Sequence, residues 1–308
     1  MQPYLSPLPQ CGKFTLGTMN LGWTFDRTTE FVKVVRAAME RNIPLHTSHV
    51  YNNGQTLNII KLAFKEAPTQ IPLFIAKIYC YNATQIRLDV EEVVERLGVE
   101  QIPIAQLAKN DHRHREIVDD VLSQGAMYQQ LCQLREEGKV GHWTFESFQK
   151  FAMDANSAVD NDLFGSISFY FNALERETDT TSWEKISRKQ LPIIALRGLS
   201  GGLVEPINEK SAGKPGKPLE MIDRRKQLEP LFEQSGCSSW SEFSIRFLVS
   251  HPQVKTIVIG TGSAKRVIEN HEFISNTHCL NPEVVSQIHH HLSNWADQRT
   301  FDPDSPYV

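Results

Sequence analysis

A chain of 308 residues, 40% of them hydrophobic, can bury a large core, and α/β barrels of this length commonly fold as one unit, so a single domain over 1–308 is expected. A formal net charge of −4 and a pI near 6.3 supply no basic field, which argues against nucleic acid or an anionic membrane as partner. Residues 1–10 carry no basic segment followed by an apolar run, no stretch has the ~20 apolar residues that cross a bilayer, and Cys11, Cys80, Cys132, Cys237 and Cys279 are scattered without a CxxC pair. A disulfide framework and a zinc site are therefore not expected, and a reducing cytoplasm is the expected location.

Short apolar runs alternate with longer amphipathic stretches, the pattern of βα units around a parallel sheet. Strands are expected at Phe14–Met19, Pro44–Ser48, Leu73–Ile78, Pro103–Ala108, Val140–Thr144, Gly165–Phe169, Ile193–Leu196 and Thr256–Ile259. Between them Thr28–Glu40 places Phe31, Val34, Val35 and Ala38 on one helical face, and Val90–Leu97 reads the same way. The expected fold is α/β, a single (β/α)8 TIM barrel with an extra C-terminal helix over Pro282–Trp295. Two loops interrupt the regularity: Asn110–Arg115 (NDHRHR) after the fourth strand, and Glu205–Pro218, rich in Lys, Gly and Pro, after the seventh.

In such barrels the site lies at the carboxyl ends of the strands, where the loops project side chains inward. Gly17, Thr18 and Met19, HTSHVYNNG from His46 to Gly54, Lys77 in FIAKI, EEGKVG from Glu136 to Gly141, FNALERE from Phe171 to Glu177, LSGGL from Leu199 to Leu203, and IGTGSAKRVIEN from Ile259 to Asn270 occupy those places in order. Singly these segments are weak signals. Together they resemble the aldo-keto reductase family from the first strand to the eighth helix.

The resemblance implies hydride transfer between NADP(H) and a carbonyl, with a tyrosine as general acid. A phenol of pKa ~10 needs an adjacent ammonium to favour its ionised form, and a carboxylate holds that ammonium in turn. Tyr51 falls at the family's tyrosine and Lys77 at its lysine. The family's aspartate position falls on His46, and its histidine falls on Ala108. The catalytic candidates are thus Tyr51, Lys77 and His46, in an atypical member with an incomplete catalytic tetrad. An alanine cannot donate to an oxyanion, and the loss of one such donor typically costs ~2.7 to 4 kcal/mol of barrier.

For the cofactor, the resemblance implies contacts by Gly17, Thr18 and Met19, by Ser147 and Ser168, and by Gly260, Thr261, Ser263, Arg266, Glu269 and Asn270. Thr261 and Ser263 offer hydroxyls, Arg266 a forked cation suited to a 2′-phosphate, and Glu269 with Asn270 adenine contacts. The backbone amides at that helix start also favour an anion. At the nicotinamide end the expected Ser-Asn pair falls on Glu146 and Ser147, the glutamine on Ser168, and the stacking aromatic on Leu196.

The leading expectation is an NADP(H)-dependent oxidoreductase acting on a small carbonyl or sugar-like substrate through Tyr51 and Lys77, with a proton relay involving His46. Two alternatives stay open: a degenerate barrel kept as a nucleotide-binding or regulatory module, and a non-redox lyase or isomerase in which Lys77, without a carboxylate partner, acts as base or imine-forming amine. His49 reads equally as a loop residue or a proton carrier. The run His289–His291 reads as a solvated helix face, since consecutive helical residues point ~100° apart. Trp23, Asp111, His112, Arg113 and His114 are candidates to line the pocket.

Overall fold

The computed structural model describes residues 8–22, 24–108, 114–147, 157–206 and 217–298. The β-branched runs form β1 (Phe14–Gly17), β2 (Leu45–Ser48), β3 (Phe74–Tyr79), β4 (Ile102–Ala108), β5 (Val140–Glu146), β6 (Ile167–Asn172), β8 (Ile193–Leu196) and β9 (Val254–Gly260), with the two-residue β7 (Glu175–Arg176) folding back antiparallel on β6. The parallel order runs β5-β4-β3-β2-β1-β9-β8-β6, and pairing of β5 with β6 closes the ring into a (β/α)8 barrel.

Around it lie α1 (Thr28–Met39), α2 (Gln55–Glu66), α3 (Ala83–Leu97), α4 (His114–Leu122), α5 (Ala126–Glu136), α6 (Thr180–Lys189), α7 (Lys217–Ser235), α8 (Trp240–Val249), α9 (Ala264–Asn276) and α10 (Pro282–Gln298). The face expected on α1 is buried, Phe31, Val34, Val35 and Ala38 included. Helix α3 starts earlier than its apolar periodicity suggests, because the Asn82 side chain accepts from the Gln85 amide at 2.8 Å and caps it. Among the described residues no helix is long and apolar enough to cross a membrane.

Two strands run beyond their expected ends for reasons that bear on the site. β6 continues to Asn172 because β7 pairs with its last residues, Phe171 with Arg176 and Asn172 with Glu175. β5 continues through Phe145 to Glu146, held by pairing with Ile167 and Ser168. Of the loop expected over 205–218, residues 207–216 lie outside the described residues, and its end belongs instead to α7.

Side chains alternate across each strand, so one face packs on the helices and the other fills the barrel. The larger apolar cluster lies between strands and helices, while Ile75, Ile104, Ile194, Leu196 and Val258 form a small separate cluster, packed against Leu8 and Cys11. One step further along the same faces the residues become polar: Lys77 follows Ile75 on β3, and Gln106 follows Ile104 on β4. An apolar floor thus carries a polar layer toward the mouth.

The histidine run departs from the solvated face expected of it. His290 is exposed, but His289 turns inward with Val284, Ile288 and Leu292 and meets His251, Nε2 to Nε2, at 2.7 Å. Trp183 stacks on His289 with centroids 4.8 Å apart, and Phe171 and Phe247 abut His251 edge-on. Burial lowers both imidazoles, to about 4 for His251 and about 3 for His289, the latter helped by His251 and Arg176. A neutral pair at this distance needs one ring to donate and the other to accept.

Candidate active site

Tyr51 is placed by the turn that follows β2. Asn52 and Asn53 hold φ of 51° and 53°, and Gly54 holds 81°. These residue types tolerate the left-handed region best, so YNNG reverses the chain within four residues. The Asn52 amide ties the turn down by donating to the carbonyls of Met19 and Leu21, each at 2.8 Å. Gly54 is also a steric requirement, since a Cβ there would overlap the Arg96 guanidinium, which donates to the Gly54 carbonyl at 3.1 Å.

Lys77 projects from β3 into the mouth, and its ammonium lies 3.0 Å from Oε1 of Glu146 at the end of β5. The carboxylate is fully buried and the lysine side chain only 10% exposed. This overturns the expectation of a lysine without a carboxylate partner. Burial alone would lower the ammonium's pKa, but Glu146, with Tyr51, Tyr170 and Tyr79 behind it, outweighs that effect and leaves Lys77 above its ordinary value. The amine is a cation at neutral pH, which disfavours the base and imine roles.

The Tyr51 phenol is raised above its usual range by burial, against which the Lys77 cation works and with which Glu146, Tyr79 and Tyr170 act. It therefore holds its proton through the neutral range. Tyr79 stacks on Tyr81 at 6.2 Å and meets His49 edge-on at 5.7 Å. Tyr51, Tyr79 and Tyr170 thus all lie within electrostatic reach of the ion pair.

His46 points into the barrel, and its Nε2 lies 3.0 Å from Oε1 of Gln106. Burial first, and then the Lys77 charge, push the imidazole down to about 4 while Gln106 works the other way. It is neutral at physiological pH. His49 turns elsewhere, to the buried Asp89 at 3.5 Å, whose carboxylate also accepts from the Tyr79 amide at 3.0 Å. Ala108 ends β4 fully buried.

The residues expected at the cofactor divide. Thr18 is buried and donates to the His46 carbonyl at 2.9 Å, so its hydroxyl joins β1 to β2. Met19 is 53% exposed at the rim. A Cβ on Gly17 would meet the Gly260 nitrogen at 3.3 Å, so the pair of glycines keeps that edge of the mouth low. Ser168 is fully buried and donates to the Phe145 carbonyl at 3.2 Å, whereas the Ser147 hydroxyl is buried with no partner among the described residues.

At the far end, Ser263 caps α9 by accepting from the Arg266 amide, and the Thr261 hydroxyl accepts from the Ser263 amide at 3.2 Å. Arg266 is exposed, Asn270 half-buried, and Glu269 faces Lys265 at 3.5 Å. Trp23, Asp111, His112 and Arg113 lie outside the described residues, as does the side chain of His114.

The part played by Glu146 was hidden by taking β5 to end at Thr144. His142, Thr144 and Glu146 alternate, and His142 faces inward to Ser166 at 2.8 Å, so two more residues of strand would have placed Glu146 on the same inner face. Gln106, Tyr79, Tyr170 and Arg197 lie in no short motif that would single them out in the sequence.

The family model described as Aldo/keto reductase family matches residues 13–293. No curated protein matches the chain in sequence. Among solved structures, an aldo/keto reductase from Klebsiella pneumoniae in complex with NADP and acetate is similar at 17% identity and a TM-score of 0.67, over 95% of this chain and 96% of that one. An aldo-keto reductase from Bacillus halodurans in its holo form gives 18% and 0.70 over 91% of each chain. A glycerol dehydrogenase from Gluconobacter oxydans gives 19% and 0.69 over 98% of each.

Proposed function

The chain belongs to the aldo/keto reductase family, and from that membership and the geometry of the mouth we propose that it is an NADP(H)-dependent oxidoreductase of a small carbonyl compound, with Tyr51 as proton donor. The observation that carries the reading is the 3.0 Å ion pair of Lys77 with Glu146. A carboxylate from β5 takes over the duty that the family's aspartate performs from the position of His46. The tetrad that looks incomplete along the chain regains its anion in space.

The residues present fit the nucleotide. Thr261 and the Ser263-capped start of α9 suit an adenosine phosphate, Arg266 stands exposed beside them, and the buried Ser147 hydroxyl, without a partner among the described residues, suits the carboxamide. NADPH supplies hydride to the carbonyl carbon when bound. Tyr51 holds the carbonyl oxygen and gives it a proton, Lys77 stabilises the phenolate left behind, and Glu146 keeps Lys77 charged and in place. His46, neutral, serves as a positioning residue through Gln106 rather than as a proton relay.

The test is a screen of small aldehydes, ketones and sugars against NADPH with wild type and Tyr51→Phe, beside NADPH titration by calorimetry. Turnover that Tyr51→Phe removes supports the reading. Binding of NADPH without turnover of any carbonyl would sink it and leave a nucleotide-binding module; the absence of both would remove the nicotinamide altogether.

A further inference from the structure

Arg197 is the first residue after β8 and holds φ of 55°. A side chain other than Asn, Asp or Gly in that region is strained by ~1 to 2 kcal/mol, and such strain persists where the surroundings fix it. Here they do: the Asn172 amide donates to the Arg197 carbonyl at 2.9 Å, and the Ser200 amide donates to the same carbonyl at 2.7 Å.

The guanidinium so placed lies over the ring of Tyr170, 4.9 Å from Cζ to centroid. Its Nε is 3.6 Å from Oε1 of the buried Glu175, beyond hydrogen-bond distance, and that oxygen already accepts from Ser200 at 3.0 Å and from Asn172 at 3.1 Å. Among the described residues the Arg197 side chain makes no hydrogen bond, and it is 31% exposed. Tyr170, on which it rests, bears electrostatically on both Tyr51 and Lys77. A planar fork of donors, half desolvated and without a hydrogen bond among the described residues, therefore stands on the β6–β8 side of the mouth, opposite the reacting groups of β2 and β3.

The pair of Lys77 with Glu146 is neutral overall, and the Glu175 carboxylate faces the guanidinium at 3.6 Å without a hydrogen bond. Among the described residues the guanidinium thus offers a positive contact to an incoming molecule. Exposed Met19, Val50 and Tyr81, at 53%, 47% and 38%, give the β1–β3 side an apolar rim. We propose that Arg197 is a specificity residue that binds a carboxylate on the substrate, so that the preferred substrates are carbonyl compounds with an apolar or aromatic body and an acid group remote from the carbonyl. Arg suits this task because its fork matches a carboxylate bidentately and its face rests on an aromatic ring. The proposal rests on the carbonyl-reductase reading for its reaction but not for its binding step.

The probes are 4-formylbenzoate and its methyl ester, which share ring and aldehyde and differ in the charge. Affinity for each is measured by calorimetry with wild type, Arg197→Gln and Arg197→Lys, with NADPH present and absent, followed by kcat/KM for the same pairs. The expected result is a wild-type preference for the carboxylate of about tenfold or more, lost in Arg197→Gln and partly kept in Arg197→Lys. No preference in wild type, or one unchanged by Arg197→Gln, overturns the proposal. A loss confined to NADPH affinity assigns the cation to the dinucleotide's phosphates and overturns it as well. Preferential binding of the carboxylate without its reduction would retain the subsite and count against the reductase reading, so the two ideas fail separately.

Discussion

Lys77 and Glu146 meet at 3.0 Å although their strands are not neighbours: β4 separates β3 from β5 in the sheet, and the contact spans the mouth above it. Removing one partner of such a pair strands the other charge in a dry site, at a typical cost of ~3 to 5 kcal/mol. Glu146→Gln should therefore lower the melting temperature and cut carbonyl reduction at least tenfold. Adding His46→Asp, which returns a carboxylate to β2, should restore part of both. A double variant no better than Glu146→Gln would show that the two positions are not interchangeable sources of charge.

Tyr51→Phe should lower kcat by ~10² to 10⁴, the usual worth of a positioned general acid, while NADPH affinity stays within a factor of a few. Because burial holds the Tyr51 proton beyond the ordinary phenol range, reduction by wild type should be flat from pH 6 to 9. Oxidation of the alcohol, which needs the ionised phenol, should climb across the same interval. A reduction rate that falls with a midpoint near neutrality would point to a different acid.

Lys77 should resist imine chemistry, since the Glu146 carboxylate holds it as an ammonium. Borohydride with an excess of a small aldehyde at pH 7 should leave no mass increment on the peptide that carries Lys77. An increment on that peptide in wild type would revive a Schiff-base mechanism.

Arg266→Ala should weaken NADPH by ~10 to 100-fold, the range of a hydrogen bond to a charged group, and leave NADH affinity nearly as it was. Equal losses for the two nucleotides would remove the 2′-phosphate from the vicinity of α9.

Acid should loosen the protein through His251 and His289. Their folded values, about 4 and about 3, lie below the 6.5 of a free imidazole, so the unfolded chain binds more protons as the pH falls. The stabilisation they bring is complete above pH 6.5 and is lost as the pH drops toward 4. Each unit of depression corresponds to about 1.4 kcal/mol. Replacing His289 by Phe, which keeps the ring stack with Trp183, should flatten the dependence of melting temperature on pH between 6.5 and 4. A slope equal to wild type would place the acid sensitivity elsewhere, His46 included.

The alternation of apolar strands and amphipathic helices was readable because its periods, two and 3.6, are local. The ends of strands carried Tyr51 and Lys77 for the same reason. Glu146 was not readable as the partner of Lys77, since the two lie 69 positions apart and only the folded sheet joins them. A run of three histidines gives no sign of which one turns inward; the buried Val284, Ile288 and Leu292 define the inner stripe of α10 beside which His289 lies.

The source of the Lys77 counterion also bears on how the chain is made. A nascent chain emerging from the ribosome presents β1 to β4, with Lys77 among them, before β5 exists to supply Glu146. A half-barrel at that stage is open, so the ammonium stays in water, and only closure of the ring by β5 and β6 takes it out of solvent. Synthesis through β5 supplies the Glu146 carboxylate before β6 can close the ring. Lys77 therefore meets its counterion before the barrel is shut, and closure buries a pair rather than a lone charge.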